Sequence, residues 1–230
     1  MASDHDTSSD QHSARQIITI DLISDIICPW CYVGFRALVA ACAARPNAPT
    51  AITLHPFELD ATTPKQGVDY KARLLAKFGG DRSRLDTIRA SLVEAGLAVG
   101  IAFNLDAIVI SPNTRDCHRL LRWARSANCE LECAEALFQA YHVAGEDLSQ
   151  ADTLIRIAHG LGMDSDLIGQ LLSSDSAQAG VQLDLEAAEK MGITSVPCAV
   201  FNQQFVVMGA QPVTAFITAV ETAARQMKAS

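Results

Sequence analysis

Two cysteines separated by a proline and a tryptophan, Cys28-Pro29-Trp30-Cys31, stand where the apolar run "ITIDLIS" gives way to a run with helical spacing. Two thiols this close can exchange with a disulfide, supply half of a zinc site, or pack as small apolar side chains. A cysteine at the head of a helix favours exchange. Unpaired backbone N–H groups and the helix dipole stabilise an anion there, and the thiolate is the nucleophile. A second cysteine one turn further in is placed to attack a mixed disulfide formed at the first. On this reading Cys28 is the nucleophile and Cys31 the resolving thiol, Pro29 stiffens the turn, and Trp30 offers a substrate chain an apolar rim. Zinc would need two more ligands in a similar clip. The other close pair, Cys129 and Cys133, lies in a distant helical stretch without a glycine turn, so no metal site is expected.

A proline reinforces the redox reading. In "TSVPCAVF", Pro197 follows an apolar residue and opens a strand-like run, although proline is disfavoured inside a sheet. A cis Val196–Pro197 bond would account for it and put a tight bend beside the dithiol, with the Val196 backbone available to an extended substrate. The alternative is a trans proline opening an edge strand. Asp21, on the strand leading to the pair, is a candidate proton acceptor for Cys31. Asp25 is nearer and would cap the approach to the helix, and either carboxylate could instead only satisfy local backbone donors. His55 and His118 could line the groove and stabilise a thiolate, or serve as structural histidines. Trp123, Phe138 and Tyr141 read as core. Gly209-Ala210 reads as a tight approach to the active-site helix. Cys198 either touches the dithiol or is a buried strand residue. Cys129 and Cys133, a helical turn apart, are poorly directed for a disulfide.

These residues need elements to hold them. "QIITIDLIS" is β-branched and reads as a strand, and apolar residues at three- and four-residue spacing after Pro29 read as a helix that opens on proline. "TAITLHPFEL" is a second strand, fraying at Pro56. Residues 65–190 read almost wholly as amphipathic helices, interrupted by "IAFNLDAIVISPNT". "TSVPCAVFNQQFVVMGAQP" then reads as two strands joined at Asn202–Gln204, followed by a helix from Pro212. The order β–α–β, helical block, α–β–β–α is an α/β thioredoxin fold with a large inserted all-helical subdomain. Residues 16–64 and 180–230 form the discontinuous thioredoxin-like domain, residues 65–179 the insertion, and residues 1–15 a disordered tail.

Composition narrows the partners. Of 230 residues 49% are hydrophobic and 19% charged, enough apolar material for a substantial core, and the net charge is −8. That balance argues against a nucleic-acid surface, which needs clustered Lys and Arg, and against an acidic membrane. No run is long enough to span a bilayer, and the polar start "MASDHDTSSDQHSARQ" lacks the apolar segment of a secretory signal. The expected location is the cytoplasm. Seven cysteines, an odd number, do not make a structural disulfide framework there.

Taken in order, "SDIICPWCYVG", "HPFELD", "NTRDCHRLLRWA", "EALFQAYHVAGEDL", "TSVPCAVFN" and "GAQP" resemble the DsbA-like thioredoxin-superfamily oxidoreductases, in the FrnE branch. The resemblance covers residue 17 to about residue 225. It implies a thioredoxin domain with a helical insertion and thiol–disulfide exchange, or isomerisation, on disulfide-containing proteins or small thiols. By position it makes Cys28 and Cys31 the redox pair and Pro197 the cis-proline. It implies no bound cofactor, with glutathione entering at most as a co-substrate, and a monomer or homodimer. Related folds, the 2-hydroxychromene-2-carboxylate isomerases and kappa-class glutathione transferases, bind glutathione and usually carry Ser in place of the first Cys. A glutathione-dependent isomerase or transferase of small aromatic compounds is therefore the alternative enzyme. A third reading is a non-enzymatic module with a structural cysteine pair.

Overall fold

The structure is a computed structural model and describes residues 16–229; the tail expected at residues 1–15 lies outside them. The chain runs β1 (Ile18–Ser24), α1 (Pro29–Ala43), β2 (Thr50–Pro56), β3 (Val68–Asp69), α2 (Tyr70–Lys77), α3 (Arg82–Ala98), β4 (Ile110–Ser111), α4 (Arg115–Ser126), α5 (Glu130–His142), α6 (Ala151–Gly160), α7 (Ser165–Leu172), α8 (Gln178–Lys190), β5 (Cys198–Phe201), β6 (Phe205–Met208) and α9 (Val213–Ala229).

Four strands form the central sheet in the order β2-β1-β5-β6. β1 and β2 are parallel, which requires a crossover, and α1 supplies it. β5 is antiparallel to β1 and to β6. Because β1 is central, both of its faces are covered. Ile18, Ile20 and Leu22 join the main core with α1 and α9, while Ile23 packs on the opposite face with Ala188 of α8 and Cys198. The β5–β6 hairpin turns through Asn202 and Gln203, with φ of 48° and 56°. Positive φ at both central residues suits the right-handed twist of a hairpin. Asn202 also exchanges bonds with Thr19: its Oδ1 accepts from the Thr19 N–H at 2.9 Å, and its own N–H donates to the Thr19 carbonyl at 2.8 Å.

The helical block expected between the strands is present, and it is not a separate body. One continuous buried cluster runs from β1 and α1 into α4, α5 and α6. The junction of α4 and α5 also closes the outer edge of β2. Glu130 Oε1 accepts from the Leu54 N–H at 3.2 Å, the Arg125 guanidinium donates to the Leu54 carbonyl at 2.5 Å, and the two side chains pair at 2.8 Å. A strand edge left open would otherwise invite pairing with another chain. Two details depart from the sequence reading. The interruption "IAFNLDAIVISPNT" contributes β4, which pairs antiparallel with β3, so the insertion carries one small ladder. Strands of two residues are too short to leave a periodic signal. The boundary expected between residues 179 and 180 falls within the first turn of α8, which packs on both β2 and α4.

Candidate active site

The site begins where β1 ends. Cys28 is the N-cap of α1, with Pro29 in the first turn, and no side chain caps the helix. The Cys28 carbonyl accepts from the N–H groups of Cys31 and Tyr32 at 3.0 and 3.3 Å, and its N–H donates to the Asp25 carbonyl at 3.0 Å. Both thiols are free and buried, Cys28 at 5% exposure and Cys31 at 0%. Their environments push them apart. A hydrogen bond from the Cys31 thiol lowers the Cys28 pKa against the cost of burial, and the backbone amides of Cys31 and Trp30 lower it further. Burial first, and then its neighbour Cys28, hold Cys31 well above the ordinary thiol range. One sulfur is therefore disposed to ionise and the other to keep its proton, which is the division a nucleophile and a resolving thiol need.

Val196–Pro197 is cis, and the Pro197 carbonyl accepts from the Gly209 N–H at 2.8 Å. Pro197 lies against α1 at Gly34, one turn past Cys31. A Cβ on Gly34 would stand 2.8 Å from Pro197 Cγ and 3.6 Å from Ala210 Cα. Gly209-Ala210 thus meets the active-site helix as expected. Gly34 was not singled out by the sequence reading, although a glycine inside an amphipathic helix costs about 1 kcal/mol relative to alanine and so signals a close approach. Trp30 and Val196 are half-buried and pack against the core at its rim.

Asp21 is not beneath the dithiol. Its carboxylate meets His55 Nε2 at 2.8 Å, both side chains being nearly one-third exposed. The reason is the two-residue alternation of a strand. Ile20 and Leu22 face the cluster that holds Cys28 and Cys31, whereas Asp21 faces the other way with Ile23. The same alternation takes Cys198 to the α8 face, where it is fully buried beside Ile23, and takes His55 away from the groove.

The carboxylate beside the dithiol is Asp25, at 0% exposure. Its Oδ2 accepts from the Leu59 N–H at 2.8 Å. Its Oδ1 has no hydrogen-bond partner among the described residues and stands 3.7 Å from His118 Nε2. His118, buried on α4, makes a 3.0 Å hydrogen bond through Nε2 to the Phe57 carbonyl. His142, at the end of α5 and passed over by the sequence reading, bonds through Nε2 to the Ile26 carbonyl at 2.9 Å. Burial lowers its pKa to about 4, against the raising effects of that carbonyl and of Asp25, so the ring is neutral at physiological pH and donates. Phe138 and Tyr141 are core residues, as read, and stack on or abut this ring. Trp123 lies under the Arg119 guanidinium at 5.1 Å. Cys129 and Cys133 are free thiols, both raised by burial. Among the described residues no cluster of three or more His, Cys, Asp or Glu could hold a metal, and no helix is long and apolar enough to cross a membrane.

This architecture has relatives of known structure. A probable DsbA oxidoreductase from Streptomyces coelicolor is 27% identical, with 90% of this chain and 89% of that one covered at a TM-score of 0.84. The cytosolic disulfide reductase DsbM from Pseudomonas aeruginosa, solved with GSH, is 15% identical, with 90% and 99% covered at 0.65. A 2-hydroxychromene-2-carboxylate isomerase is 16% identical, with 91% and 98% covered at 0.68. No curated protein sequence matches the chain. Residues 19–221, which hold the dithiol, the helical insertion and the cis-proline hairpin, match the family model of the DSBA-like thioredoxin domain, and the chain belongs to that family.

Proposed function

We propose that this protein is a thiol–disulfide oxidoreductase or isomerase that works in the cytoplasm by dithiol–disulfide exchange through Cys28-Pro29-Trp30-Cys31. The observation that carries the reading is the opposite disposition of two neighbouring sulfurs at the head of α1, Cys28 lowered and Cys31 raised. The Cys28 thiolate attacks a substrate disulfide, a mixed disulfide forms, and Cys31 displaces the substrate. Trp30 and Val196 contact the substrate chain, and Pro197 borders the dithiol from the hairpin side. The substrates are disulfide-containing proteins or small disulfides. No resident cofactor takes part, and glutathione serves as a co-substrate. Residues 16–64 and 180–230 carry the exchange chemistry, and residues 65–179 cover it.

Insulin-disulfide reduction tests the reading. Cys28→Ser abolishes turnover, and Cys31→Ser accumulates mixed disulfides with substrate. Full turnover by Cys28→Ser rejects the assignment. The likeness to a 2-hydroxychromene-2-carboxylate isomerase and to a GSH-bound reductase supports a second reading, a glutathione-dependent isomerase of small aromatic compounds. The intact cysteine pair counts against it. Tight glutathione binding without dithiol turnover would favour it.

A further inference from the structure

The two edges of the central sheet differ. Glu130 and Arg125 close the outer edge of β2, whereas no side chains of the described residues seal β6, the strand at the other edge, in this way. We propose that β6 is a dimerisation edge: two copies of this chain pair their β6 strands antiparallel about a two-fold axis at Val207, so that the two four-stranded sheets become one. The pairing is independent of the exchange chemistry.

The hydrogen bonds of the hairpin fix what this edge offers. The Gly209 N–H donates to the Pro197 carbonyl at 2.8 Å, and bonded pairs alternate along an antiparallel ladder. In the register Cys198↔Met208, Ala199↔Val207, Val200↔Val206, Val207 therefore bonds toward β5, while Val206 and Met208 turn their backbone groups outward. The Met208 carbonyl bears this out, accepting from Gln211 Nε2 at 2.9 Å outside the ladder. Among the described residues no hydrogen bond from beyond the hairpin reaches the Val206 or Met208 N–H. An axis at Val207 sets Val206 opposite the partner's Met208 and Met208 opposite the partner's Val206. Both are bonded pairs, in which each residue donates to and accepts from the other, so every outward donor finds an acceptor. The Met208 carbonyl has a second lone pair for the new bond beside Gln211.

Side chains and charge make the occupant a second copy. Val206 and Met208 are 51% and 44% exposed, and the pairing packs each against the other across the strands, an apolar contact of the kind that stabilises a sheet. Gly209, with no side chain of its own, comes opposite the partner's Phe205, an aromatic laid over bare backbone. A two-fold axis brings the residues near it against their own copies, so a charge there meets its like. From Met191 to Val220 the chain has no charged residue and no histidine, although 19% of all residues are charged and the net charge is −8. An acidic chain can therefore meet itself along this hairpin without repulsion. β6 also lacks the lysine or proline with which exposed strand edges are usually kept from pairing.

Analytical ultracentrifugation of the full chain tests the pairing. At loadings up to about 100 µM, above the micromolar end of affinities for interfaces of ordinary size, the protein is expected to reach twice its monomer mass of 24.6 kDa. Val206→Pro removes an outward donor and leaves the β5 ladder intact. Val206→Lys sets like charges near the axis and keeps the backbone. Each is expected to weaken the dimer at least about tenfold, with the circular dichroism of the wild type. Hydrogen exchange at the Val206 and Met208 amides of the wild type is expected to slow as concentration rises. A wild-type chain that stays monomeric over this range overturns the proposal. So does a dimer undiminished in either folded variant, or one that leaves both amides unprotected. If Val206→Pro does not fold, Val206→Lys decides, because its altered side chain stands at an exposed position.

Discussion

Gly34 and Pro197 touch. The helix that carries the dithiol and the hairpin that carries the cis-proline meet at a position where a single methyl group would fall 2.8 Å from the proline ring. A ring fixed to the backbone cannot swing aside as a long side chain would, so the distance between Cys31 and the Pro197 loop depends on glycine at this position.

Gly34→Ala is therefore expected to separate stability from activity. Alanine improves intrinsic helix propensity by about 1 kcal/mol, but it forces the Pro197 ring, 2.8 Å from the added methyl group, away from α1. A misplacement approaching 1 Å costs up to about 100-fold in rate. The expectation is an insulin-reduction rate lower by roughly tenfold or more, with the Cys28 thiol still reactive toward a small disulfide. An unchanged rate would mean that the close contact is only packing.

His142 gives stability a dependence on pH. Its ring titrates at about 4 in the folded chain and near 6.5 when unfolded. Above pH 6.5 it is neutral in both states. As pH falls toward 4 the unfolded chain takes up a proton that the folded chain refuses, so stability drops through this window and by pH 4 has lost about 3 kcal/mol from this group. Urea unfolding at a series of pH values measures the slope. His142→Gln, which can still donate to the Ile26 carbonyl, should flatten the profile between pH 6.5 and 4 by one proton. An identical slope in the variant would place the titrating group elsewhere.

Glu130 seals the free edge of β2. Glu130→Ala leaves the Leu54 N–H without its acceptor and the Arg125 guanidinium without its carboxylate. The expected loss is about 1–3 kcal/mol of unfolding free energy, read as a lower urea midpoint with an unchanged slope. A variant as stable as the wild type would show that water replaces both bonds at no cost.

The legible parts of the sequence were those with local signals. The strand, the proline-headed helix after Cys28 and the hairpin turn at Asn202 each announce themselves within a few residues, and their order gives the thioredoxin fold. The surroundings of the dithiol were harder to read because they come from far along the chain. His142 reaches the loop at Ile26 from a helix 116 residues downstream, and nothing in its own segment distinguishes it from a core histidine, whereas His118, a groove candidate from the sequence, reaches Asp25 from α4. Asp21 was misplaced for a simpler reason. It lies on the strand face opposite Leu22 and Ile20, and strict alternation along β1 points it away from the sulfurs. Gly34 left a faint signal, an unexplained glycine within a helix.

The account rests on Cys28 being ionised more readily than an ordinary thiol. The ultraviolet absorbance of the thiolate, followed against pH as the difference between the reduced wild-type protein and Cys28→Ser, measures it directly. The expected result is a single titration with a midpoint below about 8.5, the value of free cysteine. A midpoint at or above that value would contradict the account.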